Sequence, residues 1–141
     1  MFWTPALHWE AEQNCTALSG TLVTIKSAID NRAIFNLVSS EEVDYIWLGL
    51  SCFGNSTSTC YWDDGTSLSF ANFQSSNQFR TRCVAMNVSN RPGSWQGIWA
   101  SGYCNNDNNP ATPNKFPYLC EVPPSIPAIN GCEHNFSMLG D

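Results

Sequence analysis

The side chains with the most chemistry to offer are seven cysteines, at positions 15, 52, 60, 83, 104, 120 and 132, set against two histidines, His8 and His134. No two cysteines form a C-x-x-C pair, so the usual zinc-ligand spacing is missing. The remaining chemistry is oxidation, which points to paired cysteines in a secretory or extracellular setting. Four N-x-S/T sequons agree, beginning at Asn14, Asn55, Asn87 and Asn135. One or two such triplets arise by chance, whereas four beside seven cysteines favour secretion.

Catalysis finds little support. General acid–base chemistry asks for a histidine or paired carboxylates in a pocket. His8 falls at the start of an expected helix and His134 in the trailing segment, with no serine motif beside either. No glycine-rich phosphate cradle occurs, and the sequence reads as a non-enzyme. Asp63-Asp64-Gly65 is a turn signal, and its aspartates read as turn formers rather than metal ligands. The run Asn105-Asn106-Asp107-Asn108-Asn109 offers oxygens but a single carboxylate, so Asp107 is a weak calcium candidate. Trp95 and Trp99 have faces suited to stacking on a sugar, although tryptophans on a strand usually belong to the core.

The chain around these residues is 141 long, enough for one domain with a proper core. A formal charge of −6 and dispersed basic residues exclude the basic face of a nucleic-acid binder. At 43% hydrophobic it is too apolar for disorder, yet no apolar run is long enough for membrane insertion. Met1-Phe2-Trp3-Thr4-Pro5 has neither the basic flank nor the apolar stretch of a signal peptide. The expectation is a piece of a longer secreted chain, with Cys132 pairing outside it.

The elements that must position these groups centre on Tyr45–Leu50, a short apolar run that reads as a strand buried on both faces. Gly49 within it marks a close approach of another backbone. Ahead of it, Leu7, Ala11, Cys15 and Leu18 carry helical spacing, and Ser19-Gly20 ends that helix. Thr21 to Ile25 alternates as a strand. Ser27 and Asp30 resemble a capping box for a second helix, with Ile29, Ala33, Ile34, Leu37 and Val38 on its apolar side. After the central strand, Cys52 and Cys60 flank a polar loop and suggest a pinned hairpin. Residues 68–82 read as a long loop, Cys83 to Val88 and Ser94 to Ala100 as strands, 104–114 as a second loop, and Phe116 to Val122 as the last strand. Residues 123–131 form a proline-rich linker, and 132–141 read as the start of a following module.

These pieces form an ordered series. Trp9-Glu10-Ala11 precedes Cys15, and Gly20 to Ile25 follows. Then come Trp47-Leu48-Gly49-Leu50, Trp62-Asp63-Asp64-Gly65, Cys83-Val84-Ala85-Met86, Trp99 ahead of Cys104, and Tyr118-Leu119-Cys120-Glu121. The series resembles the C-type lectin-like domain, across about residues 6 to 122 within a unit bounded at 1–122. The resemblance implies an α+β fold, two helices packed on small antiparallel sheets, with a long irregular loop region and disulfide staples. It also implies bridges Cys15–Cys120 and Cys83–Cys104, leaving Cys52 and Cys60 to pair locally; six cysteines allow fifteen connectivities, so spacing alone does not choose among them. The family's first strand precedes the first helix, and here little more than Met1 to Thr4 remains to form it, so a truncated sheet edge is expected.

Sugar-binding members of the family use calcium, held by a Glu-Pro-Asn or Gln-Pro-Asp triplet in the long loop and an Asn-Asp pair after the tryptophan that corresponds to Trp99. The loop Phe73 to Phe79 contains neither proline nor carboxylate, and Ala100 and Ser101 follow Trp99. The expectation is therefore a binding module without the usual calcium site, recognising a glycan or protein through residues 70–82 and 104–115. The candidate contacts are Asn77, Gln78, Arg80, Trp99, Asn105, Asn106 and Asp107. The alternatives are a calcium-dependent lectin with a site in the asparagine-rich loop, and a structural spacer. Further modules of the same chain are the other expected partners.

Overall fold

A computed structural model of the chain describes residues 2–39, 43–54, 56–73, 82–102, 104 and 114–122. The linker at 123–131 and the segment 132–141 lie outside the described residues. Strand β1 (Phe2–Ala6) leads into helix α1 (His8–Ala17), followed by β2 (Thr21–Leu22), α2 (Ala28–Val38) and β3 (Tyr45–Cys52). A 3-10 turn (Thr57–Thr59) opens β4 (Cys60–Trp62), and then come β5 (Cys83–Asn87), β6 (Trp99–Gly102), β7 (Phe116–Tyr118) and β8 (Cys120–Glu121). The main sheet runs β1-β7-β3-β5-β6 with β4 paired to β3, and β2 and β8 form a separate two-stranded sheet. The fold is α+β and carries three disulfides, Cys15–Cys120, Cys52–Cys60 and Cys83–Cys104.

Strand β3 pairs with β4, β5 and β7, and Ile46 to Leu50 are buried without a break. Alternation along the strand sends side chains to opposite faces. Ile46, Leu48, Leu50 and Cys52 join one core with Val23, Ile25, Val38, Val84, Met86 and Trp62. Trp47 points the other way, into a core with Ala6, Ala11, Cys15, Leu22 and Tyr118. Its indole N–H donates to the Ala6 carbonyl at 2.8 Å.

Gly49 confirms the close approach expected of it. Its N–H donates to Val23 O at 2.9 Å and its carbonyl accepts from Asp63 N at 2.8 Å. A Cβ at this position would lie 2.7 Å from Leu22 O and 2.8 Å from Asp63 Oδ2. Gly49→Ala is therefore expected to cost about 2 kcal/mol through overpacking, read as a lowered midpoint in urea.

Helix α1 turns His8, Ala11 and Cys15 inward, whereas Leu18 lies beyond its end and is largely exposed. Glu10 Oε1 accepts from Leu7 N at 2.9 Å and secures the first turn. The chain leaves through Ser19 at φ 62°. Helix α2 is capped as expected: the Ser27 hydroxyl accepts from Asp30 N at 3.1 Å. Asp30 reaches back to Lys26 N rather than to Ser27 N, at 3.3 Å.

The buried face of α2 differs from the expected one. Ile29 is 80% exposed and Leu37 63% exposed. Asn31 and Val38 are buried instead, with Ile34 and Phe35 packed beside them. The cause is hydrogen bonding: Asn31 Oδ1 accepts from Trp99 Nε1 at 2.8 Å and Asn31 Nδ2 donates to Gly97 O at 3.1 Å. Satisfying that buried indole N–H turns a polar residue inward and two large apolar ones outward.

Three strand expectations are corrected. Thr21 to Ile25 pairs with β8 only over Thr21 and Leu22, because the Val23 carbonyl turns to Gly49 N. Ser94 to Ala100 is a turn up to Ile98, with Gly97 at φ 77°, and the strand covers Trp99–Gly102. The last strand breaks at Leu119, whose carbonyl accepts from Val23 N, so that β7 joins the main sheet and β8 the small one. At the other end, β1 does form and pairs antiparallel with β7.

Candidate functional site

Of the expected ligand contacts, Asn77, Gln78, Arg80, Asn105, Asn106 and Asp107 lie outside the described residues, as do the sequons at Asn55 and Asn135. The residues that flank these two segments are described. The Cys83–Cys104 disulfide joins the start of β5 to the residue before the second loop. On the first loop's near side, Trp99 N donates to Asn72 O at 2.9 Å and Asn72 Nδ2 donates to Gly97 O at 2.7 Å. On its far side, Cys52 N donates to Arg82 O at 2.9 Å.

Trp99 is the hub of these flanking residues and not a contact surface. It is fully buried, so its candidacy as a stacking platform is corrected. Trp62, Phe70 and Phe73 meet its ring edge to face, with centroids 5.6, 5.8 and 5.4 Å away. The same ring anchors α2 through Asn31. Trp95, by contrast, is 56% exposed.

Ala100 and Ser101 extend β6, in register with Ala85 and Val84. Neither brings a carboxylate to the position where the family places half of its calcium site. Among the described residues, no group of three or more His, Cys, Asp and Glu is placed to hold a metal ion.

The fold does assemble titratable groups that the sequence reading passed over. Glu12 on α1 and Asp63 after β4 hydrogen-bond to one another through their carboxyl groups. Burial raises the pKa of both, and for Glu12 the bond to Asp63 and the neighbouring charge add to the effect. Asp63 Oδ2 is buried without a hydrogen-bond partner. The arrangement can hold a proton between two carboxyls at a pH where separate ones are ionised. His8 lies beside it, its Nε2 3.9 Å from Glu12 and 3.1 Å from Leu48 O. A carbonyl only accepts, so Nε2 carries a hydrogen. Burial lowers the His8 pKa to about 4, so the ring is neutral at neutral pH.

Asp63 and Asp64 are the central residues of the expected turn, closed by Gly65 N donating to Trp62 O at 2.9 Å, and Asp64 supplies the turn's side-chain bonds. Its Oδ1 accepts from Thr66 N and Oγ1 at 3.0 and 2.6 Å, and its Oδ2 from Lys26 Nζ at 2.9 Å. Those bonds, the Thr66 hydroxyl foremost, pull its pKa down to about 2. The Glu12–Asp63 partnership has no local signature, because its members lie far apart in the chain. Gly49 was the one clue, since it leaves room for the Asp63 carboxyl.

A sheet built on β3, two helices, and disulfides that tie α1 to β8 and β5 to Cys104 define a lectin-like binding scaffold. Residues 5–121 match the family described as the Lectin C-type domain, and the chain belongs to that family. It is 26% identical over 133 residues to C-type lectin domain-containing protein 38 of Caenorhabditis elegans, covering 91% of this chain and 32% of that protein. The chain thus spans about a third of the length of that curated relative. Among solved structures, it superposes on CEL-IV with a TM-score of 0.67 at 20% identity, covering 91% of this chain and 88% of the other. Ovocleidin-17 of the Gallus gallus eggshell gives 0.65 at 22% identity, with 86% and 87% covered. A calcium-independent type II antifreeze protein gives 0.63 at 20% identity, with 84% and 80% covered. At these identities the likeness establishes the shared fold.

Proposed function

We propose that this domain is an extracellular, non-catalytic binding module that recognises a protein or glycan without the family's usual calcium site. The observation that carries the reading is the strand after Trp99: Ala100 and Ser101 pair within the sheet and supply no carboxylate. A hard cation needs six to eight oxygen ligands, and losing the Asn-Asp half removes part of that shell. The loop from Phe73 to Phe79 adds no carboxylate either. One of the structural neighbours is itself named as calcium-independent, so the scaffold tolerates that state. The disulfides suit an oxidising compartment. Recognition is assigned to residues 70–82 and 104–115, which the sequence reads as loops, with Asn77, Gln78, Arg80, Asn105, Asn106 and Asp107 as contacts.

The test is capture on glycan and extracellular-protein arrays by the disulfide-intact domain, with calcium and again with chelator. Chelator-resistant binding that Arg80→Ala weakens at least fivefold is expected. Binding lost with chelator, and lost again in Asp107→Ala, would replace this reading with a calcium-dependent lectin site in the asparagine-rich loop.

A further inference from the structure

A cleft of about 330 Å³ lies between β1 and α1. Pro5 forms one side, Trp9, Glu10 and Gln13 another, and Tyr118 of β7 contributes as well, with Asn14 also on the lining. Trp9 is 49% exposed, and α1 packs on the core through His8, Ala11 and Cys15 without it. An indole left open in a cleft beside a carboxylate and two amides suits a ligand with an apolar face and a polar rim. A pyranose is such a ligand.

Asn14 begins the sequon Asn14-Cys15-Thr16, and both Asn14 and Thr16 are exposed. We propose that this cleft is the seat of the first N-acetylglucosamine of a glycan carried by Asn14. The inference rests on the extracellular reading above. Transfer from a polyprenyl-diphosphate oligosaccharide breaks the sugar C1–O bond and forms C1–Nδ2, the amide proton leaving with the diphosphate. The glycosylated amide keeps one N–H. It can therefore still donate to the Tyr118 hydroxyl, which lies 2.6 Å from Nδ2 and holds the side chain against β7. The sugar's C–H face then rests on Trp9, and its acetamido and hydroxyl groups meet Glu10 and Gln13. Asn87, the other sequon asparagine among the described residues, is folded differently: its Oδ1 accepts from Ser89 N at 2.9 Å, and Val88 and Ser89 are buried.

The test is secretion of the chain from a eukaryotic host behind an added secretion signal, with site-resolved glycopeptide mass spectrometry and thermal unfolding. Asn14 is expected to be occupied, and Thr16→Ala, which removes the sequon but keeps Asn14, to melt about 3 °C lower. Trimming the glycan to one sugar should preserve that margin, and Trp9→Ala should abolish it. Nuclear Overhauser contacts between the Trp9 indole and the first sugar's ring protons provide a second reading in the unmutated chain. Asn14 bare while Asn55 or Asn87 is occupied would overturn the inference alone. All sequons bare in a secreted chain would overturn it as well, and chain retained inside the cell would fail the extracellular reading beneath it. An occupied Asn14 without indole contacts, or with a margin indifferent to Trp9→Ala, would also overturn it.

Discussion

Replacing Cys15 and Cys120 together by alanine is expected to lower the unfolding free energy by about 5 kcal/mol. The bridge spans 105 residues of sequence and joins α1 to β8, the first helix to the last strand. Little else fastens β8: its ladder with β2 is two residue pairs, Thr21–Glu121 and Leu22–Cys120. Glu121 adds hydrogen bonds to Thr24 N and to Thr24 Oγ1, and these are exposed. Without the disulfide the denatured chain regains the freedom of nearly the whole domain. Domains of this size have only about 5–15 kcal/mol in total. Urea unfolding should show the transition midpoint collapsing toward zero denaturant.

The control is the short bridge. Cys52–Cys60 is separated by 8 residues, and the same loop-entropy argument gives it about 2.5 kcal/mol. It also closes a hairpin already held by the β3–β4 ladder and by Phe53 N donating to Thr59 O at 3.1 Å. Equal losses for the two double variants would show that chain entropy is not what the long bridge contributes.

The sequence carried these features unequally, and the reason is how local each signal is. The burial of β3, the cap at Ser27 and the pinned Cys52–Cys60 hairpin depend on near neighbours, and all appear in the structure. The long disulfide pairings came from the family resemblance, since spacing alone left them open. Hydropathy assigns Asn31 to the outer face of α2, whereas the indole of Trp99, distant in sequence, draws it in. Composition makes Phe116 to Val122 a single strand and does not reveal that its two halves serve different sheets. Asp63 sits in the expected turn, but its partnership with Glu12 is invisible in the sequence, because nothing near Glu12 advertises a partner. Trp99 was correctly legible as a strand tryptophan, but its role as a hub emerges only from the rings around it.

The Glu12–Asp63 pair makes stability depend on pH in a way opposite to an ordinary ion pair. Both folded pKa values lie above the unfolded ones, that of Glu12 at about 9. A group raised in this way contributes stability that is full below its unfolded pKa and is lost as pH rises through the folded one. The loss therefore begins in the mid-4s and continues to about 9. His8 acts in the opposite sense. Its folded pKa of about 4 lies below the model value of 6.5, so its contribution is present above 6.5 and is lost as pH falls. Arg82 opposes its protonation, whereas Glu12 faces it at 3.9 Å. The two effects oppose one another between about pH 4.5 and 6.5, where the curve should be nearly level, and stability should fall steadily above 6.5. Glu12→Gln keeps a hydrogen-bond donor toward Asp63 and removes the second charge. At pH 8.5 it should raise stability by about 2 kcal/mol, discounted for the residual exposure of the pair. Below pH 5 it should change little, since Glu12 is then already protonated. Asp63→Asn should flatten the alkaline limb in the same way, and in both variants the rise set by His8 between about pH 4 and 6.5 should become visible. Urea titrations of the three proteins from pH 4 to 9 decide it. An alkaline limb as steep in Glu12→Gln as in the parent would show that the two carboxyls do not share a proton in the folded domain.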